Sequence, residues 1–136
     1  MAIKKVAVIG AGTMGNGIAQ VFAQSGFSVV MIDVKEEFVR RGLAAIDKSL
    51  ARLVKKETIS EEQKKEILGR VAVSTTLADA AGAGLVVEAA FEDFDVKIGI
   101  FSELDGVCNP DVIFASNTSS ISITALAAKT KRPEKF

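Results

Sequence analysis

Val6-Ala7-Val8-Ile9-Gly10-Ala11-Gly12-Thr13-Met14-Gly15 is a β-branched run that ends in three spaced glycines, and a helix-forming stretch from Met14 to Gln24 follows it. In a strand-to-helix turn each glycine has a separate use. Gly10 permits the tight turn, Gly12 puts no side chain in the way of an approaching pyrophosphate, and Gly15 lets helix and strand pack closely. The helix start then offers free N–H groups to phosphate oxygens. A second apolar run, Ser28 to Asp33, ends in an acid about 20 residues beyond the first glycine, where a dinucleotide fold needs one. A carboxylate there accepts hydrogen bonds from ribose hydroxyls and repels a 2′-phosphate, so NAD is favoured over NADP; nearby Lys35 weakens the preference slightly. The competing reading is a glycine turn beside an unrelated exposed acid.

The rest of the chain repeats the alternation. Glu36 to about Lys56 reads as a long amphipathic helix, with Val39, Leu43, Ile46, Leu50 and Leu53 as its apolar stripe. Ser60-Glu61-Glu62-Gln63 matches a capping box and opens a short helix that ends near Gly69. Val71–Ser74, Leu85–Val87 and Val112–Ala115 are further strands. Asp95–Leu104 is a helix with Val96, Ile100 and Leu104 on one side, and Ser122–Lys129 is a last short helix. Continuous apolar strands between helices imply a parallel sheet covered on both faces, and right-handed crossovers make it a doubly wound, Rossmann-type α/β fold. Residues 1–136 are expected to form one such domain. Five strands are counted where the full fold has six. The chain ends about where the sixth would start, so the expectation is of a domain cut short.

Composition removes several classes of function. The 136 residues carry 17 basic and 17 acidic side chains and no histidine, tryptophan or tyrosine. The balanced charge offers no footprint for nucleic acid, and no run approaches the roughly 18 apolar residues of a membrane span. The lone cysteine, Cys108, allows no internal disulfide, which fits a cytoplasmic protein. Without imidazole the chain cannot complete a histidine-dependent acid–base site, and one cysteine with no histidine makes a zinc site untenable; no metal is expected.

Three features go beyond a generic dinucleotide fold. Val86-Val87-Glu88-Ala89-Ala90-Phe91-Glu92 continues to Lys97, so Glu88, Glu92 and Lys97 fall at the carboxyl end of a strand and in the turn beyond it. Ser116-Asn117-Thr118-Ser119-Ser120 follows the fifth strand on the same edge, where open α/β sheets bind ligands. Ser49, Arg52 and Lys56 share one face of the long helix.

Together the glycine loop, the Glu-to-Lys run and the serine-rich segment resemble the L-3-hydroxyacyl-CoA dehydrogenase family over essentially the whole chain. The resemblance implies NAD-linked oxidation of a short-chain (S)-3-hydroxyacyl-CoA, with 3-hydroxybutanoyl-CoA as the expected substrate, to the 3-keto compound, or the reverse. By this likeness Gly10, Ala11, Gly12, Thr13, Met14, Gly15, Asp33, Glu92 and Asn117 bind NAD. Ser119 hydrogen-bonds the substrate oxygen as the catalytic residue, and Ser49, Lys56 and Lys97 contact CoA. The family's general base is a histidine held by a glutamate, and a helical domain that supplies homodimer contacts follows it; this sequence has neither, so the expectation is of an NAD-binding half that is inactive alone.

Plainer readings stay open beside these. Ser119 and Ser120 can cap a helix, Lys55 and Lys56 can answer a helix dipole, and Glu92 with Lys97 can form a surface ion pair. Glu88 can be held by backbone N–H groups at the strand end. Cys108 reads as an inert, partly buried thiol, and Phe91, Phe94 and Phe101 as packing. Two other functions also remain: an NAD(H)-responsive binding module that acts through a partner, and a dehydrogenase of free 3-hydroxy acids or sugar acids with a similar glycine loop.

Overall fold

The computed structural model describes residues 3–89, 94–108 and 112–116; at 94–97 and 116 the description is of the backbone alone. The proposed last helix, at 122–129, lies outside these residues. Five strands and four helices alternate along them: β1 (Lys5–Ile9), α1 (Thr13–Gln24), β2 (Ser28–Ile32), α2 (Glu36–Lys55), α3 (Glu61–Gly69), β3 (Val71–Ser74), β4 (Leu85–Glu88), α4 (Phe94–Val107) and β5 (Ile113–Ser116). A 3-10 turn at Leu77–Ala80, not foreseen from the sequence, joins β3 to β4. All pairings are parallel and the strand order is β3-β2-β1-β4-β5. This is the expected doubly wound sheet, with β1 at its centre.

Alternation along β1 explains the layering. Val6 and Val8 point into one core with Val29, Met31 and Val71, covered by Ala19 and Ala23 of α1, Val39, Ile46 and Leu50 of α2, and Ile67 of α3. Ala7 and Ile9 point into the other with Val30, Ile32, Val86 and Phe114, covered by Phe101 and Leu104 of α4 and by Cys108 just after it. Successive side chains of a strand face opposite ways, so a strand apolar at every position must be covered on both sides. The face of α4 carries Leu104 and Ile100 on the core side as expected, joined by Phe101. Its deepest residues are Phe101 and Leu104, with Ile100 only partly buried, because Phe101 meets Phe114 of β5 at 5.4 Å between ring centroids. Cys108 is buried in this core, its thiol 3.7 Å from the Ala80 carbonyl.

Helix ends follow local chemistry. The capping box at Ser60 is complete: Ser60 Oγ accepts from the Gln63 N–H at 3.1 Å, and the Ser60 N–H donates to Gln63 Oε1 at 2.8 Å. Arg70 donates to the Ala23 carbonyl at 2.8 Å, a cation at the carboxyl end of α1 that also ties it to the start of β3. Lys64 of α3 meets Asp47 of α2 at 3.0 Å. That hydrogen bond raises the Lys64 pKa above its ordinary 10.5. The pair's contribution is therefore present below that value and fades as pH climbs through the raised one.

The turn from α2 into α3 is a Schellman motif. Thr58 N–H reaches the Leu53 carbonyl at 2.9 Å and Glu57 N–H the Val54 carbonyl at 2.9 Å. Its left-handed residue is Glu57, with φ of 60°, where glycine is usual. Left-handed backbone costs an L-residue roughly 1–2 kcal/mol. Glu57→Gly is expected to stabilise the chain by about 0.5–1 kcal/mol after the greater freedom of glycine in the unfolded state is subtracted. Urea unfolding should show a higher midpoint at unchanged slope.

Candidate functional site

The strand register puts Ser74, Ile32, Ile9, Glu88 and Ser116 in one row across the sheet, at its carboxyl edge. From β1 the chain runs outward through β2 to β3, then returns to the other side of β1 as β4, so the loops after β1 and β4 diverge. The crevice at such a switch point is where open α/β sheets take ligands. Glu88 stands in this row completely buried.

The glycine loop leaves β1 in this row. Gly10 has a φ of 113°, which favours glycine, and its N–H donates to the Ile32 carbonyl at 2.6 Å. A Cβ on Gly15 would lie 1.9 Å from the Gly10 carbonyl oxygen, so α1 can start here only without one. Gly12 is the opposite case: a Cβ there would meet no atom of the described residues within 4 Å. Packing among the described residues does not require this glycine, and its open side is where a ligand would come closest to the backbone. Gly12 caps α1 without a side-chain hydrogen bond and the first turn holds no acid, so no carboxylate of the helix itself competes for that end. Met14 in the same turn is largely exposed.

Asp33 lies beside this loop. Its Oδ2 accepts from the Ala11 N–H at 2.9 Å and its Oδ1 from the Val34 N–H at 2.7 Å. A carboxylate offers roughly four acceptor positions. Two taken by backbone leave room for the two hydroxyls of a ribose. Open glycine, unblocked helix start and half-buried carboxylate fit a dinucleotide. Lys35, expected to weaken the NAD preference, places its Nζ 5.6 Å from the Phe38 ring centroid, and among the described residues no ion pair joins it to Asp33.

The structure thus brings together Gly10 to Gly15 and Asp33. Ser49 is half-buried near the end of α2, and Lys56 is exposed at its C-cap, just past the last helical residue. Lys97 lies in the first turn of α4, where only the backbone is described. Glu92, Asn117, Ser119 and Ser120 lie outside the described residues. Among the described residues no group of side chains is placed to hold a metal ion, and no helix is long and apolar enough to cross a membrane.

One residue of this site went unnoticed in the sequence. Gly42 of α2 is buried against the glycine loop, and a Cβ there would lie 2.7 Å from the Ala11 carbonyl oxygen. The signal was available. A glycine inside a helix costs about 1 kcal/mol against alanine, and this one stands on the apolar stripe between Val39 and Ile46, which marks a close approach.

Comparison with known proteins agrees with this geometry. The family model "3-hydroxyacyl-CoA dehydrogenase, NAD binding domain" matches residues 5–136. A 3-hydroxybutyryl-CoA dehydrogenase of Bradyrhizobium diazoefficiens is 52% identical, over 98% of this chain and 46% of its own length. A probable 3-hydroxybutyryl-CoA dehydrogenase of Deinococcus radiodurans is 49% identical, over 97% and 47%. The crystal structure of (S)-3-hydroxybutyryl-CoA dehydrogenase from Ralstonia eutropha superposes with a TM-score of 0.95 at 47% identity, covering 99% of this chain and 48% of that one. The chain spans about half the length of these relatives. With the glycine loop, the Asp33 carboxylate and the switch-point crevice all in register, the chain belongs to the family of 3-hydroxyacyl-CoA dehydrogenase NAD-binding domains.

Proposed function

We propose that residues 1–136 form the cofactor half of an NAD-linked 3-hydroxyacyl-CoA dehydrogenase, acting on (S)-3-hydroxybutanoyl-CoA in the cytoplasm. The observation that carries this reading is the pairing of a glycine loop open at Gly12 with a carboxylate bound to that loop. The start of α1 receives the pyrophosphate on backbone N–H groups, and Asp33 accepts the ribose hydroxyls. NAD, when bound, supplies the hydride acceptor for the substrate's C3. Thr13, Met14, Glu92 and Asn117 complete its surroundings in this reading.

Ser119 orients the substrate oxygen by a hydrogen bond, and Ser49, Lys56 and Lys97 hold the CoA moiety. The hydroxyl proton needs a base. No side chain of this sequence is an imidazole, so the base comes from a segment beyond residues 1–136, together with the contacts of a homodimer. The greater length of the relatives and their names support this division. The buried lone thiol of Cys108 supports a reducing compartment.

NADH titrated into this chain and followed by fluorescence should bind saturably and in preference to NADPH. Asp33→Ala should weaken NADH by about 1–3 kcal/mol and narrow the gap to NADPH; an unchanged preference would remove Asp33 from the ribose site. Turnover of 3-hydroxybutanoyl-CoA by the chain alone should be negligible, since loss of a general base typically costs about 10²–10⁴ in rate. Activity that returns on joining the chain to a segment carrying the histidine and its glutamate would bear out the division. An inactive complete chain would defeat the assignment. Lys56→Ala with Lys97→Ala should weaken binding of an acyl-CoA and leave NADH binding intact; undiminished CoA binding would favour a free 3-hydroxy acid as substrate.

A further inference from the structure

We infer that Gly42 is a positioning residue of the cofactor site: its missing side chain is the space in which the Ala11 peptide sits. The inference rests on the cofactor reading above and deepens it. A Cβ at Gly42 would lie 2.7 Å from the Ala11 carbonyl oxygen, 3.0 Å from Ala11 Cβ and 2.9 Å from Met31 Cε. The Met31 methyl is the end of a flexible side chain and can move. The Ala11 carbonyl is backbone and moves only with the loop.

The helix cannot yield instead. Val39, Ile46 and Leu50 hold α2 to the sheet on either side of Gly42, and none is more than 1% exposed. Ala11 is confined on its other side as well. Its side chain is 3% exposed, its N–H is bonded to Asp33, and the preceding Gly10 N–H is bonded to Ile32. Ala11 is therefore clamped through both of its peptides, with α2 behind the carbonyl it shares with Gly12 and the Asp33 carboxylate on the N–H it shares with Gly10. A methyl at position 42 displaces the peptide away from α2, stretches the Asp33 bond and shifts Gly12, the next residue. One helical glycine thus sets both the loop that meets the pyrophosphate and the carboxylate that meets the ribose.

Gly42→Ala separates this role from plain packing. The expected result is a folded chain whose Kd for NADH rises at least tenfold, with a smaller ratio between NADH and NADPH. Gly106→Ala is the control: a Cβ on that exposed glycine of α4 would meet no described residue within 4 Å. It should leave the Kd unchanged. Hydrogen exchange at the Ala11 amide gives a readout free of cofactor and should quicken at least tenfold in Gly42→Ala while Val8 in β1 stays protected. A folded Gly42→Ala chain with Ala11 exchange and Kd both within twofold of the parent overturns the proposal. If the methyl is too large, Met31→Ala/Gly42→Ala vacates the Met31 side chain but keeps the carbonyl clash, and it should exchange at Ala11 at least tenfold faster than Met31→Ala alone. Failure of both variants to fold also overturns the proposal, since it would make Gly42 a residue of the core alone. If Gly42→Ala shows the exchange effect but the parent chain binds no NADH, the cofactor reading is defeated and the clamp stands.

Discussion

The hydrogen bond from the Ala11 N–H to Asp33 Oδ2, 2.9 Å long, joins the two halves of the proposed cofactor site. It links the loop after β1 to the end of β2, two pieces of chain adjacent only because β1 and β2 pair in register from Lys5↔Ser28 to Ile9↔Ile32. A slip of one residue would exchange the faces of β2 and carry Asp33 out of reach. The register is in turn held by burial. Val29 and Met31 belong to one core and Val30 and Ile32 to the other, so a slip would send each set into the wrong layer. The position of this half-buried carboxylate is thus set by apolar residues on both sides of the sheet. A hydrogen bond to a charged group is worth about 1.5–3 kcal/mol, far less than the burial that places it.

The glycines show how one residue type answers different demands. Gly10 is required by its backbone angle, Gly15 and Gly42 by the backbone atoms a Cβ would strike, and Gly12 by nothing among the described residues. The last is the informative one. Where the fold itself exerts no demand for a glycine, the open space beside it belongs to something outside the fold. Against that, the free helix end of α1 is an ordinary feature of helices. It gains meaning here because the first turn carries no acid and the Asp33 carboxylate has acceptor positions to spare.

Much of this could be read in the sequence because its signals are local. The capping box at Ser60 needs only one residue and its third successor, and every strand began within a residue of its expected start, since short apolar runs between glycines and polar turns leave few other choices. What was missed depends on contacts between distant segments. The Arg70 guanidinium reaches Ala23, the Lys35 ammonium lies over Phe38, and Phe101, read as packing, finds its partner in Phe114 of a distant strand. Gly42 falls between the two cases. Its place on the apolar stripe was visible, but its partner, the Ala11 carbonyl, is known only once α2 is laid across the loop. In the candidate site the glycines and Asp33 were legible for the same local reason. The proposed roles of Ser49, Lys56, Lys97, Glu92, Asn117 and Ser119 came from family resemblance, which carries chemistry that spacing alone does not.

The geometry of α2 adds a constraint on the proposed reaction. The helix has 20 residues and at 1.5 Å per residue spans roughly 30 Å. Its first half backs the glycine loop through Gly42, and its second half carries Ser49 and ends on Lys56, about 10 Å and 20 Å further along the axis. Three buried side chains hold it on the sheet, and the Asp47–Lys64 pair links it to α3. If the cofactor phosphates lie at one end and CoA at the other, their separation is fixed by helix rise rather than by a loop. A rigid spacer loses little freedom when the second ligand binds. It converts the placement of one ligand into the placement of the other, which a hydride transfer across about 3–3.5 Å requires.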